Sequence, residues 1–225
     1  MVLAWPAESP IILLPRFVET ADGPDRLIVD PEALAKATGK PHAVMDFAAS
    51  PDGRRVAYSM QAGGSEIGTL HVVDLQSGKP LIEPIDRIRY ASAAWLDDGS
   101  GFFYSRLREG YEKYPVAERF DDHARHFRSL ADAQGDRNVF SPLRDAGLGL
   151  PRYASGDPYQ IAGTKLAANR VYFGVDPYQA LYLGDLDAAT KGTATWTKVV
   201  GVDDKAVEIG IAGGYVYLRT SKRAP

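Results

Sequence analysis

Ser50-Pro51-Asp52-Gly53-Arg54-Arg55-Val56-Ala57-Tyr58-Ser59 returns 46 positions later as Leu96-Asp97-Asp98-Gly99-Ser100-Gly101-Phe102-Phe103-Tyr104-Ser105. Each copy is an apolar approach, an Asp-Gly pair and an alternating strand. Asp-Gly suits a tight turn between antiparallel strands, because glycine takes φ > 0 without a Cβ clash. A repeat in the forties that holds several strands predicts the blade of a β-propeller.

On either side of these copies the same pattern predicts further hairpins. Ala43–Ala49 pairs with Arg54–Met60, Ala91–Leu96 with Gly101–Leu107, Tyr159–Ala162 with Arg170–Val175, and Ala206–Ile211 with Tyr215–Thr220. The second strand of each carries an apolar-x-aromatic signature: Val56 and Tyr58, Phe102 and Tyr104, Val171 and Phe173, Tyr215 and Tyr217. The aromatic spacings are 46, 69 and 44, so the middle interval holds an insertion near Arg108 to Arg125. Outer strands come next at Thr69–Leu75, Arg125–Leu130 and Ala180–Leu186, and polar turns then lead to a fourth strand. Phe17–Thr20 and Arg26–Asp30 read as an outer pair without an inner hairpin, and Ala206–Thr220 as an inner hairpin without an outer pair. Between Asp30 and Gly39 the chain predicts one short helix, with Asp30 as N-cap, Pro31 in the first turn and Gly39 as the stop. The expected fold is all-β: a partial propeller of about three full four-stranded antiparallel blades plus two half-blades. Residues 1–16 are expected to be an irregular segment and 17–225 the propeller.

Composition narrows the function classes. Hydrophobic residues make up 45%, enough for a real core. Lys+Arg total 26 against Asp+Glu 29, and the charges are scattered, so neither a nucleic-acid footprint nor a membrane-binding basic face is expected. The chain has no cysteine, which excludes disulfides and thiolate metal sites and fits a reducing cytoplasm. The first residues lack the basic start of a secretory leader, and no apolar run reaches membrane-spanning length.

Candidate chemistry is sparse. A hydrolase nucleophile elbow needs Gly-x-Ser-x-Gly; Gly63-Gly64-Ser65-Glu66-Ile67 comes nearest, but Ile67 replaces the second glycine and the stretch sits between strands. His123 and His126, beside Asp121 and Asp122, have a spacing that would face a metal on a helix, yet His126 opens an outer strand. Asp46, Asp97, Asp98, Asp203 and Asp204 are the acids available for glycoside hydrolysis, and Asp98 and the Asp203-Asp204 pair read more simply as turn residues. Gly78-Lys79 lacks the earlier glycine of a phosphate loop. No catalytic residue, metal or cofactor is expected. Trp95, Phe102, Tyr104 and Phe173 read as blade-packing aromatics, and so does Tyr90 by itself.

The ordered series Arg26-Leu27-Ile28-Val29-Asp30-Pro31-Glu32-Ala33-Leu34, Ser50-Pro51-Asp52-Gly53, Thr69-Leu70-His71-Val72-Val73-Asp74-Leu75, Ala94-Trp95 and Asp98-Gly99-Ser100-Gly101-Phe102-Phe103-Tyr104 resembles the N-terminal propeller of the prolyl oligopeptidase family of serine peptidases. The resemblance is closest over residues 17 to 107 and looser beyond. It implies a seven-bladed ring over an α/β-hydrolase domain with a Ser-Asp-His triad, cleaving short peptides after proline. It also implies that Arg89 and Tyr90, entering an inner strand, face the substrate. A family arginine after a later second strand is not matched, because Gly174-Val175-Asp176 stands there. On this reading the chain is a non-catalytic segment that gates a hydrolase domain, with that domain and short peptides as partners. The alternatives are a stand-alone protein-binding scaffold and a small carbohydrate-active propeller.

Overall fold

The Asp-Gly stretches fold alike because each closes the same turn. Gly53 donates its amide to the Ser50 carbonyl at 2.9 Å, and Gly99 donates to Leu96 at 2.9 Å. The two glycines have φ of +68° and +66°, where a side chain would be strained. The Asp before each glycine accepts a hydrogen bond from the amide two residues on, from Arg54 at 3.0 Å and from Ser100 at 2.9 Å.

The computed structural model describes residues 16–17, 26–89, 93–132, 135–152, 154–160, 166–172, 178–212 and 214–221. It divides into two compact units, Met1–Ala93 and Ala94–Pro225.

The first unit holds β1 (Arg16–Phe17), β2 (Arg26–Leu27), α1 (Pro31–Thr38), β3 (His42–Ala49), β4 (Arg55–Ala62), β5 (Gly68–Asp74) and β6 (Ile85–Ile88). β1 and β2 pair antiparallel with each other. β3 to β6 form one four-stranded antiparallel sheet in chain order. The helix begins and ends where its caps demand: the Asp30 carboxylate accepts from the Ala33 amide at 2.9 Å, and Gly39 stops it at φ +70°. Ile28 and Leu34 pack on a core of Val29, Val44, Val56, Tyr58, Val73 and Leu75.

The second unit holds β7 (Ala94–Trp95), β8 (Gly101–Arg106), β9 (Ala124–Ser129), β10 (Arg137–Phe140), β11 (Ser155–Gln160), β12 (Leu166–Tyr172), β13 (Gln179–Asp185), α2 (Leu186–Thr190), β14 (Thr197–Val200), β15 (Ala206–Ala212) and β16 (Tyr215–Thr220). β7 to β10 make a second four-stranded sheet, and β11 to β14 repeat the arrangement. Faces of these two sheets pack together through Phe103, Phe127, Phe140, Tyr182 and Trp196. Phe140 meets Trp196 edge-on at 5.4 Å, and the Trp196 indole donates to the buried Val139 carbonyl at 2.8 Å. Four-stranded antiparallel sheets packed face to face are propeller blades, and the chain is a partial β-propeller.

The structure departs from the expected elements in specific places. The third inner hairpin begins earlier than Tyr159, because β11 is an edge strand, where Pro158 is tolerated. The segments 161–165 and 173–177, with Phe173, lie outside the described residues, as does the expected start of β7 at 91–92. A helix, α2, replaces the polar turn expected after Asp185-Leu186; Asp185 caps it by accepting from the Ala188 amide at 2.9 Å. The last hairpin, β15–β16, is joined to the third sheet through the Gln179–Ala206 pair. Among the described residues, no helix is long and apolar enough to cross a membrane.

Candidate functional site

Arg89 comes directly after β6, at the end of the first four-stranded sheet. β5 and β6 change register between Gly68–Ile88 and Leu70–Ile85, which leaves one extra residue on β6. Arg87 takes it up at φ +60°. Such a bulge redirects the residues beyond it. Arg89 reaches the β4–β5 loop, donating to Glu66 through Nη2 at 3.0 Å and Nε at 3.3 Å. The Glu66 carbonyl in turn accepts from the Gln61 side chain at 2.7 Å. Both charged groups reach solvent, with side chains 25% and 56% exposed. Tyr90 lies outside the described residues.

The expected insertion is a strap between β8 and β9, with single helical turns at Tyr111–Lys113 and Val116–Glu118. Its two ends are tied together. Arg108 Nη1 donates to Asp122 Oδ2 at 2.9 Å, and Nη2 donates to the Glu118 carbonyl at 2.6 Å. The Arg108 guanidinium also lies 3.3 Å over the Tyr114 ring. Arg152, from the β10–β11 connection, closes on the same Asp122 oxygen through Nη2 at 2.9 Å. The Asp122 side chain is wholly buried and its φ is +56°. The sequence pattern shows the insertion but not this clamp, whose partners stand 14 and 30 positions apart.

A cleft of about 470 Å³ in the second unit is lined by apolar Leu96, Phe127 and Leu186 among mostly polar side chains. On its wall Asp97 and Gln160 hold each other twice, with the Asp97 amide donating to Gln160 Oε1 at 2.9 Å and Gln160 Nε2 donating to Asp97 Oδ2 at 3.0 Å.

The remaining candidates are dispersed. Ser65 sits in the β4–β5 loop and bonds locally to Ile67, accepting from its amide at 3.0 Å and donating to its carbonyl at 2.9 Å. His126 lies in β9 and stacks on Tyr104 at 5.6 Å. Among the described residues no three His, Cys, Asp or Glu side chains converge as metal ligands do. Asp46 accepts from the Phe47 amide at 2.7 Å, and Asp204 accepts from Gly201 at 2.8 Å and helps shape the turn before β15. Hydrogen bonds from the Ser100 side chain and amide hold the Asp98 carboxyl below the ordinary carboxylate range. That is the opposite of what a general acid of glycoside hydrolysis requires. Trp95 and Phe102 pack at 5.1 Å, and Phe102 and Tyr104 at 5.8 Å.

Comparison with known proteins agrees with this architecture. The family model described as prolyl oligopeptidase, N-terminal beta-propeller domain, matches residues 10–141, wider at both ends than the stretch of closest resemblance. A prolyl endopeptidase from Elizabethkingia meningoseptica is 25% identical over 214 residues, covering 93% of this chain and 28% of that protein. Prolyl oligopeptidase A from Amanita bisporigera is 24% identical, covering 94% of this chain and 29% of that protein. The chain thus spans under a third of the length of the curated relatives it matches. Among solved structures, apo prolyl oligopeptidase B from Galerina marginata superimposes with a TM-score of 0.66 at 20% identity, over 91% of this chain and 29% of that one. That likeness concerns the fold alone. With its family model matched over more than half its residues, the chain belongs to the prolyl oligopeptidase family, through that family's N-terminal β-propeller domain.

Proposed function

We propose that this chain is the non-catalytic propeller segment of a prolyl-oligopeptidase-like serine peptidase. In the complete enzyme it restricts access of short proline-containing peptides to an α/β-hydrolase domain. The observation that carries this reading is the match of residues 10–141 to the family's propeller domain, joined to the succession of four-stranded antiparallel blades. The 225 residues contain no Gly-x-Ser-x-Gly elbow, so the nucleophile belongs to another part of the enzyme. Arg89 and Tyr90 contact the peptide: the exposed Arg89–Glu66 pair opens, and the guanidinium takes a peptide carbonyl or carboxylate. The reading extends to a cytoplasmic setting, which cell fractionation tests.

The DNA downstream of codon 225 tests the central claim. An in-frame α/β-hydrolase segment with a nucleophile elbow supports it. A stop codon or an unrelated domain overturns it in favour of a stand-alone scaffold. In the enzyme so defined, Arg89→Ala is expected to raise KM for short peptides and leave kcat nearly unchanged, the pattern of lost uniform binding. Because exposed ion pairs contribute about 0–1 kcal/mol, the thermal midpoint of this variant should stay near that of the parent. An unchanged KM removes Arg89 from the substrate path.

A further inference from the structure

The cleft in the second unit, at about 470 Å³, lies in the size range of small-ligand pockets, about 300–1,000 Å³. It sits at the end of the β7–β10 sheet opposite the strap, where the β7–β8 and β9–β10 turns line it together with α2. Every lining residue falls between Leu96 and Lys191, so neither end of the chain shapes it. Its walls are fixed. Asp97 and Gln160 hold each other across 63 positions, and Leu186 and Ala189 of α2 pack in the core that includes Phe127 and Trp196. Four carboxylates, Asp97, Asp98, Asp132 and Asp187, line the cleft against two cations, Arg137 and Lys191. Arg137 is paired with Asp132. Asp97 and Asp98 have neutral partners instead, Gln160 and Ser100, and among the described residues no cationic side chain pairs with either. The hydrogen bonds from Ser100 also keep Asp98 ionised.

The first copy of the turn shows that the fold does not demand this charge. Pro51-Asp52-Gly53-Arg54-Arg55 aligns with Asp97-Asp98-Gly99-Ser100-Gly101. Both close the same turn, with the Gly53 and Gly99 amides each donating at 2.9 Å. In the first copy the Asp52 carboxylate has the Arg55 guanidinium at 3.5 Å. The second copy has Ser100 and Gly101 in place of the two arginines, and a further carboxylate, Asp97, in place of Pro51. The turn needs Asp-Gly, but neither Asp97 nor the loss of both arginines. The third strands differ in the same sense. After Asp74-Leu75 the chain turns at Ser77-Gly78, whereas after Asp185-Leu186 it forms α2, which brings Asp187 and Thr190 to the cleft. Neighbouring carboxylates without a counter-ion repel each other, and a cation bound between them removes that repulsion.

We propose that this cleft binds a small organic cation, an ammonium or guanidinium group on a short apolar stem. Asp97 and Asp98 accept the hydrogen bonds of the charged head, and the stem lies along Leu96, Phe127 and Leu186. Each carboxylate keeps acceptor capacity beyond its bond to Gln160 or Ser100. Arg137 and Lys191 in the same lining disfavour a polycation, so a single positive head suits the site best. The site is a property of the second unit and does not rest on the peptidase reading.

Titration of the full chain with hexylammonium at low salt, followed by ligand-observed NMR, tests it. Saturable binding is expected at about millimolar concentration or below. Hexanol and hexanoate, of the same length without the positive charge, should bind at least about tenfold more weakly. Asp97→Asn combined with Asp98→Asn keeps the turn and the Gln160 contact and should weaken hexylammonium by about tenfold. Lys191→Gln removes a repelling charge and should tighten it by about threefold. Asp52→Asn makes the same change at the turn without a cleft and should leave binding unchanged, which separates the site from diffuse attraction to a chain of net charge −3. Far-ultraviolet circular dichroism and the thermal midpoint check that each variant is folded. N-acetyl-lysine methylamide presents the same head on a peptide unit. If it binds more tightly than hexylammonium, the site takes a basic peptide side chain; if more weakly, a free amine; both outcomes support the cleft. Absence of saturable binding, equal binding of hexanol, or hexylammonium binding that ignores the Asp97 and Asp98 changes or responds equally to Asp52→Asn overturns the proposal.

Discussion

Asp122 and Arg152, thirty positions apart, hold each other through both backbone and side chain. The Asp122 amide donates to the Arg152 carbonyl at 2.6 Å, while the Arg152 guanidinium donates to Asp122 Oδ2 through Nε at 3.2 Å and Nη2 at 2.9 Å. Arg108, at the opposite end of the strap, donates to the same oxygen. One buried carboxylate thus closes the base of the strap and anchors it to the β10–β11 connection.

Replacing Asp122 with asparagine keeps the shape and removes the charge. Arg108, only 11% exposed, is then left in the interior without its counter-ion. Removing one partner of a buried pair costs about 3–5 kcal/mol. The asparagine carbonyl would retain part of the hydrogen bonding, so Asp122→Asn is expected to destabilise the second unit by about 3 kcal/mol, the lower end of that range. Denaturant titration measures this. Arg152→Ala should cost less, since its side chain is 53% exposed. In both variants trypsin should cut faster at Lys113 and Arg119 in the strap. Unchanged cleavage would show that the strap does not depend on the clamp.

Local chemistry makes much of the fold legible. Asp52-Gly53 and Asp98-Gly99 announce their turns within a few residues, and Asp30 and Gly39 bracket α1 by capping alone. α2 is hidden because Asp185-Leu186 starts like Asp74-Leu75. The first goes on to Ala188-Ala189, which favours helix, and the second to Ser77-Gly78, which favours a turn. The candidate sites are less legible. Arg89 stands out by its place at a strand entry, but the bulge that turns it toward Glu66 forms at Arg87, where no glycine signals φ of +60°. The Asp97–Gln160 and Asp122–Arg152 contacts join residues 63 and 30 positions apart, and no periodicity encodes them. The half-blade at β15–β16 is visible in the pattern. Its exposed tyrosines are not, because the apolar-x-aromatic signature is the same whether or not a neighbour covers it.

Gly99 and Gly101 stand on either side of Ser100 and meet two different constraints. Gly99 needs its φ of +66°. Gly99→Ala is therefore expected to cost about 1 kcal/mol, the ordinary penalty of the left-handed region. At Gly101 the obstacle is space: a Cβ would come within 2.6 Å of both the Arg128 carbonyl oxygen and the Phe127 ring. Gly101→Ala must push β8 and β9 apart beside the core, and overpacking of this kind costs about 3 kcal/mol. Equilibrium unfolding of the two variants should rank them in that order; equal losses would mean that the β8–β9 contact yields easily.

Acid stability should separate Asp136 from Asp145, because their environments shift them in opposite directions. Burial pushes the Asp136 carboxyl up, but hydrogen bonding from Arg128 and the charges of Arg128 and Arg106 outweigh it, and the net shift is downward. Arg128 Nε reaches it at 2.6 Å and Arg106 Nη1 at 3.1 Å. Asp145 is pushed up by burial, which the Ser141 amide and Arg144 offset only in part. A carboxylate whose pKa is lowered in the folded state contributes stability that is present above its unfolded value of 3.8 and is lost as pH falls through the folded value. A carboxylate whose pKa is raised acts in the reverse sense, and its contribution falls as pH rises from 3.8 to the folded value. These two carboxylates therefore contribute with opposite sign to the slope of unfolding free energy against pH in the acid range. Asp136→Asn removes the positive one and should flatten the slope below pH 3.8. Asp145→Asn removes the negative one and should steepen it just above. Denaturant titrations at closely spaced acid pH values measure both slopes. If the two variants change the slope in the same direction, the opposed burial and pairing effects assigned to these carboxylates are wrong.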